Sequence, residues 1–123
     1  MPFRAKRRYP RARVTRAALV RRLTTEPMQE PFEDFARARV LGAGGCMLES
    51  RKPLGYGSLA QVLIALGGDV VEADSRVVWE KSRASGGHEV GVEFVRISRD
   101  DRELIESLVA GEQSSAARTG QRA

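Results

Sequence analysis

The chain has 123 residues, 41% of them hydrophobic and 30% charged, with a formal net charge of +5. That apolar content fills one small core and excludes a wholly disordered chain, which points to one domain with modest tails. No apolar run approaches the roughly 20 residues of a helical membrane span, and no apolar segment follows the basic N-terminus as in a secretory signal, so the expected location is the cytoplasm.

Catalysis finds no candidates. Cys46 and His88 are the one cysteine and the one histidine, so an internal disulfide and a sulfur–imidazole zinc site are both ruled out. A Ser-His-Asp triad would have to use His88, which sits in a glycine-rich turn. No activated nucleophile and no carboxylate pair in a cleft stand out. The expectation is a binding module with no enzyme activity, no cofactor and no metal.

Residues 1–22 carry nine positive side chains (Arg4, Lys6, Arg7, Arg8, Arg11, Arg13, Arg16, Arg21 and Arg22) and no acid. Residues 23–123 are therefore net −4, and the positive charge is local. Guanidinium forks grip phosphates bidentately and match the acceptor edge of guanine. An anionic, guanine-containing partner is the first suggestion. Residues 1–11 read as a basic arm, with Pro10 biasing Tyr9 to an extended backbone.

Residues 12–110 read as the folded unit. Val14 to Val20 is a first strand, and the prolines of 26–31 mark a loop. Phe35 to Leu41 alternates, with Ala36, Ala38 and Val40 on one side and Phe35, Arg37 and Arg39 on the other. Gly42-Ala43-Gly44-Gly45 breaks the pattern as a corner that calls for unusual backbone angles. Cys46 to Glu49 is a short strand with the cysteine as a small buried hydrophobe. Residues 52–57 form a turn cluster.

Leu59 to Leu66 is an apolar strand, and Gly67-Gly68-Asp69 a tight hairpin turn. Val70 to Glu80 places Val71, Ala73, Val77 and Trp79 on one face, with Trp79 read as core. Ser85 to His88 turns the chain again, and Val90, Val92 and Phe94 share a face of the last strand. Six short strands separated by turns predict a small antiparallel β-barrel, followed by one α-helix. Ser98 caps the helix, with Asp101 completing an acidic capping box. Leu104, Ile105, Leu108 and Val109 form its apolar stripe. Gly111 is placed to stop it, which leaves 111–123 as a disordered tail.

This order of parts resembles the PilZ domain family. The parts are an Arg-x-x-x-Arg arm (Arg7 to Arg11) and a strand into a glycine corner (Val40 to Gly45). Val77-Val78-Trp79, the Gly91 to Ser98 strand and the Asp100 to Val109 helix follow. The resemblance spans about residues 6–110 and lies in the order and spacing of the parts together. It implies a six-stranded barrel that binds the bacterial second messenger cyclic di-GMP. Carried over, the ligand-binding residues are Arg7, Arg8 and Arg11 of the arm and Gly42, Gly44 and Gly45 of the corner. An Arg4/Arg8 phase has the same spacing; Tyr9-Pro10 between the arginines favours Arg7/Arg11.

The family's second motif, Asp/Asn-x-Ser-x-x-Gly, is altered. With Gly45 as the motif glycine, Val40 stands at the Asp/Asn position and Gly42 at the Ser position. Losing one charged and one neutral hydrogen bond costs about 2–4 kcal/mol, roughly 30- to 1000-fold in affinity. Arg37 and Arg39, just before the corner, are the residues able to supply new donors, and open backbone N–H groups at the glycines can hold anions.

Three functions compete. In the first, cyclic di-GMP docks the arm and changes the surface offered to a protein effector. In the second, the barrel is a nucleotide-independent adaptor for a protein partner in motility or surface-appendage machinery, as Val40 and Gly42 favour. In the third, the arm binds nucleic acid; against this, the body is net acidic and aromatics are only 6% of residues, too few for a stacking stripe.

Overall fold

A computed structural model describes residues 9–23 and 32–122, with side chains to Glu112. Six strands form one closed barrel: β1 (Arg11–Arg22), β2 (Glu33–Gly42), β3 (Gly45–Ser50), β4 (Leu59–Leu66), β5 (Asp69–Ser82) and β6 (His88–Ile97). A helix, α1 (Arg99–Arg122), follows. The strand order is β1-β2-β3-β6-β5-β4, with β4 pairing back onto β1, and every pair is antiparallel. Closure leaves no unpaired sheet edge.

Alternation builds the core. Ala60, Val62, Ile64 and Leu66 of β4 point inward and are buried, as are Val71, Ala73 and Val77 of β5 and Val90 and Val92 of β6. Leu66 pairs with Asp69 across Gly67-Gly68. Gly67 has φ 64, which suits the first central residue of a hairpin turn and which L side chains avoid. Buried Cys46 is a core member, and burial pushes its thiol pKa up to about 12.

The connection 51–58 is held from below by Glu80. Its carboxylate accepts the Leu54 N–H at 2.6 Å and the Gly55 N–H at 3.2 Å. Leu54 is buried, and its carbonyl accepts from Ser58 Oγ and from the Arg22 guanidinium.

Ser98 caps α1 as expected, accepting the Asp101 N–H at 3.1 Å. Asp101 does not close a capping box. Its carboxylate accepts the Glu72 N–H of β5 at 3.1 Å and so ties the helix start to the barrel. Ile105 and Val109 are buried in the barrel core, Leu108 packs against it, and Leu104 is exposed. Burying two such side chains contributes about 1.5–3 kcal/mol each. The helix does not stop at Gly111 but continues to Arg122. Gly111 has no positive φ, and the following Glu, Gln, Ala and Arg residues favour helix.

Two bulges change which residues face the core. In β2, Ala38 pairs with Leu48 and Val40 with Met47, so Arg39 is an extra residue. Beyond it the alternation flips: Leu41 is buried, and Val40 leaves the face it was expected to share with Ala38. In β5, Val77 pairs with Val92 and Trp79 with Gly91, so Val78 is extra. Trp79 is therefore outside the core and 42% exposed. An extra residue inverts a period-2 pattern from that point on.

Candidate functional site

The glycine corner joins β2 to β3 on the outer wall of the barrel. Arg11 pairs with Gly42, Gly42 with Gly45, and Gly45 with Glu93. Residues opposite each other in a ladder share a face, so Arg11 and Glu93 flank a strip of bare backbone two glycines wide.

The arm's root lies on this strip. A Cβ on Gly42 would come within 2.7 Å of the Pro10 carbonyl oxygen, and one on Gly44 within 2.8 Å of Tyr9 Cδ2. A Cβ on Gly45 would collide with the Val92 carbonyl. None of the three has a positive φ. The corner therefore needs glycine for close approach, not for the unusual backbone angles that its composition predicts.

Tyr9 connects the corner to the helix. It packs against the core cluster, and the Arg102 guanidinium of α1 sits 5.7 Å from its ring centroid, within cation–π range. Residue 9 is thus held by the corner on β2–β3 and by α1.

Arg11 starts β1 at this corner and is exposed. Arg7 and Arg8, with the alternative Arg4, lie outside the described residues, as does the 26–31 loop. Of the arginines ahead of the corner, Arg37 is exposed and has no ion-pair partner among the described residues. Arg39 is engaged: its guanidinium meets the Glu49 carboxylate at 3.2 Å, and Arg83 reaches the same oxygen at 3.0 Å.

Next to the corner, the outer row runs Arg13–Val40–Met47–Gly91–Trp79 across five strands. The indole of Trp79 occupies the space that a Gly91 side chain would fill. Alternation alone puts Trp79 in the core; the fold makes it a half-exposed aromatic on the outside of the barrel. An open cavity of about 620 Å³ lies over the bulged part of this wall, lined by Arg13, Arg16, Arg39, Val40, Met47 and Glu49 among others. The sequence does not show where the period inverts, because Val40-Leu41 and Val77-Val78-Trp79 are apolar in either register.

Among the described residues, no group of three or more His, Cys, Asp or Glu side chains is placed to hold a metal ion. No helix among them is long and apolar enough to cross a membrane.

Comparisons with known proteins agree with this architecture. The Bacillus subtilis inhibitor of motility MotI/DgrA superposes with a TM-score of 0.72 at 16% identity, covering 89% of this chain and 52% of that one. The K. pneumonia MrkH–c-di-GMP complex gives 0.68 at 19% identity, with 92% and 55% covered. The c-di-GMP-bound PilZ domain of YcgR from Escherichia coli gives 0.65 at 15% identity, with 96% and 99% covered. The chain spans about half the length of the first two. No curated protein matches it. The family model described as PilZ domain matches residues 5–111, and the chain belongs to the PilZ domain family.

Proposed function

We propose that this chain is a regulatory cyclic di-GMP receptor without enzyme activity, acting in the cytoplasm. Arg7, Arg8 and Arg11 grip the nucleotide from the arm, and Gly42, Gly44 and Gly45 form the side-chain-free corner beside which it docks. One observation carries the reading: Tyr9-Pro10-Arg11 is seated on the glycine corner at distances that admit no side chain. That seat roots the basic arm at the corner. Two of the similar structures, MrkH and the YcgR domain, are complexes with c-di-GMP, which supports the choice of ligand. Docking of the nucleotide on the arm would then reach α1 through Tyr9 and Arg102 and alter the surface offered to a protein effector.

A second reading is the adaptor that binds a protein partner without nucleotide. The outward position of Val40 favours it, because the wall there is apolar where the family motif has an acceptor. Motility control fits either reading, since one similar structure is an inhibitor of motility.

Calorimetric titration with cyclic di-GMP, with GMP as control, separates the two. The receptor predicts binding that is lost in Arg11→Ala. Absence of heat at high ligand concentration leaves the adaptor.

A further inference from the structure

The cavity on the bulged flank is distinct from the glycine corner, since none of Gly42, Gly44 and Gly45 lines it. Its volume of about 620 Å³ falls within the range of small-molecule sites. Its lining is mostly charged and polar, with Val14, Val40 and Met47 as the apolar members.

The lining has three arginines and three glutamates, but Arg83 and Lys81 from outside it pair with two of the glutamates. Glu49 is shared by Arg39 and Arg83, and Glu89 is held by Lys81 at 3.5 Å. Arg13 and Arg16 have neither ion-pair nor hydrogen-bond partners among the described residues. Glu112 is the one lining carboxylate not held in such a pair among the described residues. Among the described residues, two guanidinium groups without a paired acid therefore line the cavity with one such carboxylate. Arg39 adds a buried Nε with no acceptor among the described residues.

The cavity also has the right position. Arg13 pairs with Val40 and Arg11 with Gly42. The two pairs are two residues apart, about 7 Å along the strand. A nucleotide lying on the corner can reach both.

We propose that Arg13 and Arg16 form a second anion subsite, on β1, that holds a phosphate of the nucleotide seated at the corner. The inference rests on the receptor reading. It assigns affinity to β1 residues outside the arm and outside the altered motif, and it explains how a wall with Val40 and Gly42 retains a grip on an anion.

The test is titration of the full chain with cyclic di-GMP, comparing the unsubstituted protein with Arg13→Gln, with Arg13→Gln/Arg16→Gln and with Arg96→Gln, an exposed arginine of β6 away from the cavity. Removing one charge-assisted hydrogen bond should weaken binding roughly tenfold, and the double variant should bind roughly 100-fold more weakly. Arg96→Gln should bind like the unsubstituted chain. Arg13 is exposed, so the single variant serves if the double does not fold. Binding by the unsubstituted chain that both substitutions leave unchanged overturns the subsite and leaves the receptor reading intact. No binding by the unsubstituted chain removes the receptor reading, and the subsite with it.

Discussion

The ring of Tyr9 lies against the bare backbone of Gly44, so close that a Cβ there would sit 2.8 Å from the ring. The same ring faces the Arg102 guanidinium of α1. The position that anchors the basic arm is thus shared between the corner and the helix. Gly44→Ala should push the ring off its seat and destabilise the fold by about 1 kcal/mol, the low end for overpacking where a side chain can give. Gly68→Ala is the control, because nothing lies within 4 Å of its Cβ position. Thermal unfolding of the two variants checks the difference.

Gly45 is a harder case than Gly44. Its missing Cβ points at the backbone carbonyl of Val92 in the paired strand. Backbone in a closed ladder has nowhere to move. Gly45→Ala should cost about 2–3 kcal/mol, more than Gly44→Ala, as read by denaturant unfolding.

Trp79 is the one tryptophan, and its indole fills the space beside Gly91. Gly91→Ala must displace it into solvent. The intrinsic fluorescence should shift to the red in the folded variant. Unchanged emission would mean that the indole does not rest on Gly91.

Much of the barrel is legible in the alternation of its strands. Leu59 to Leu66 has the same bounds in sequence and structure because an apolar period of 2 ends in two glycines. β1 reads too short from sequence, since Arg11, Arg13, Arg21 and Arg22 belong to a strand whose charges a tail would carry equally well. The two residues on unexpected faces, Val40 and Trp79, both follow a bulge, where Arg39 or Val78 adds one residue that hydropathy does not register. The glycines mark a corner in the sequence, but the reason for them does not show there: the constraint is a neighbour from a distant part of the chain, and only pairing reveals it. Arg7 and Arg8 rest on the family resemblance alone, and Arg13 and Arg16 emerge only once the bulged wall is folded.

The Cys46 thiol carries a pH signature. Burial raises its pKa from 9.0 to about 12. Its neutral form favours the folded state, so this contribution is fully present below pH 9 and is lost as pH rises toward 12. By about pH 10.5 the loss amounts to about 2 kcal/mol. Cys46→Ala should start less stable, because it leaves a small cavity, yet lose less stability between about pH 8 and about pH 10.5. Parallel stability profiles for the two proteins would contradict a buried thiol.

Ile105 tests whether α1 is part of the fold or an appendage. It is fully buried against the barrel core. Ile105→Ala should destabilise the whole domain by about 2–5 kcal/mol, with one cooperative transition. A frayed helix on an unchanged barrel would show the opposite, with loss of helical signal and no change in the main transition.

Whether cyclic di-GMP docks at the glycine corner is the central question, and amide chemical shifts answer it most directly. Addition of cyclic di-GMP to the isotope-labelled chain should move the N–H resonances of Gly42, Gly44 and Gly45, together with Tyr9 and Arg11, and those of Arg13 and Arg16 beside the cavity. Arg102 on α1 should follow through Tyr9. A saturated spectrum in which these resonances stay in place, or shifts clustered on β5 opposite β2, would contradict the site.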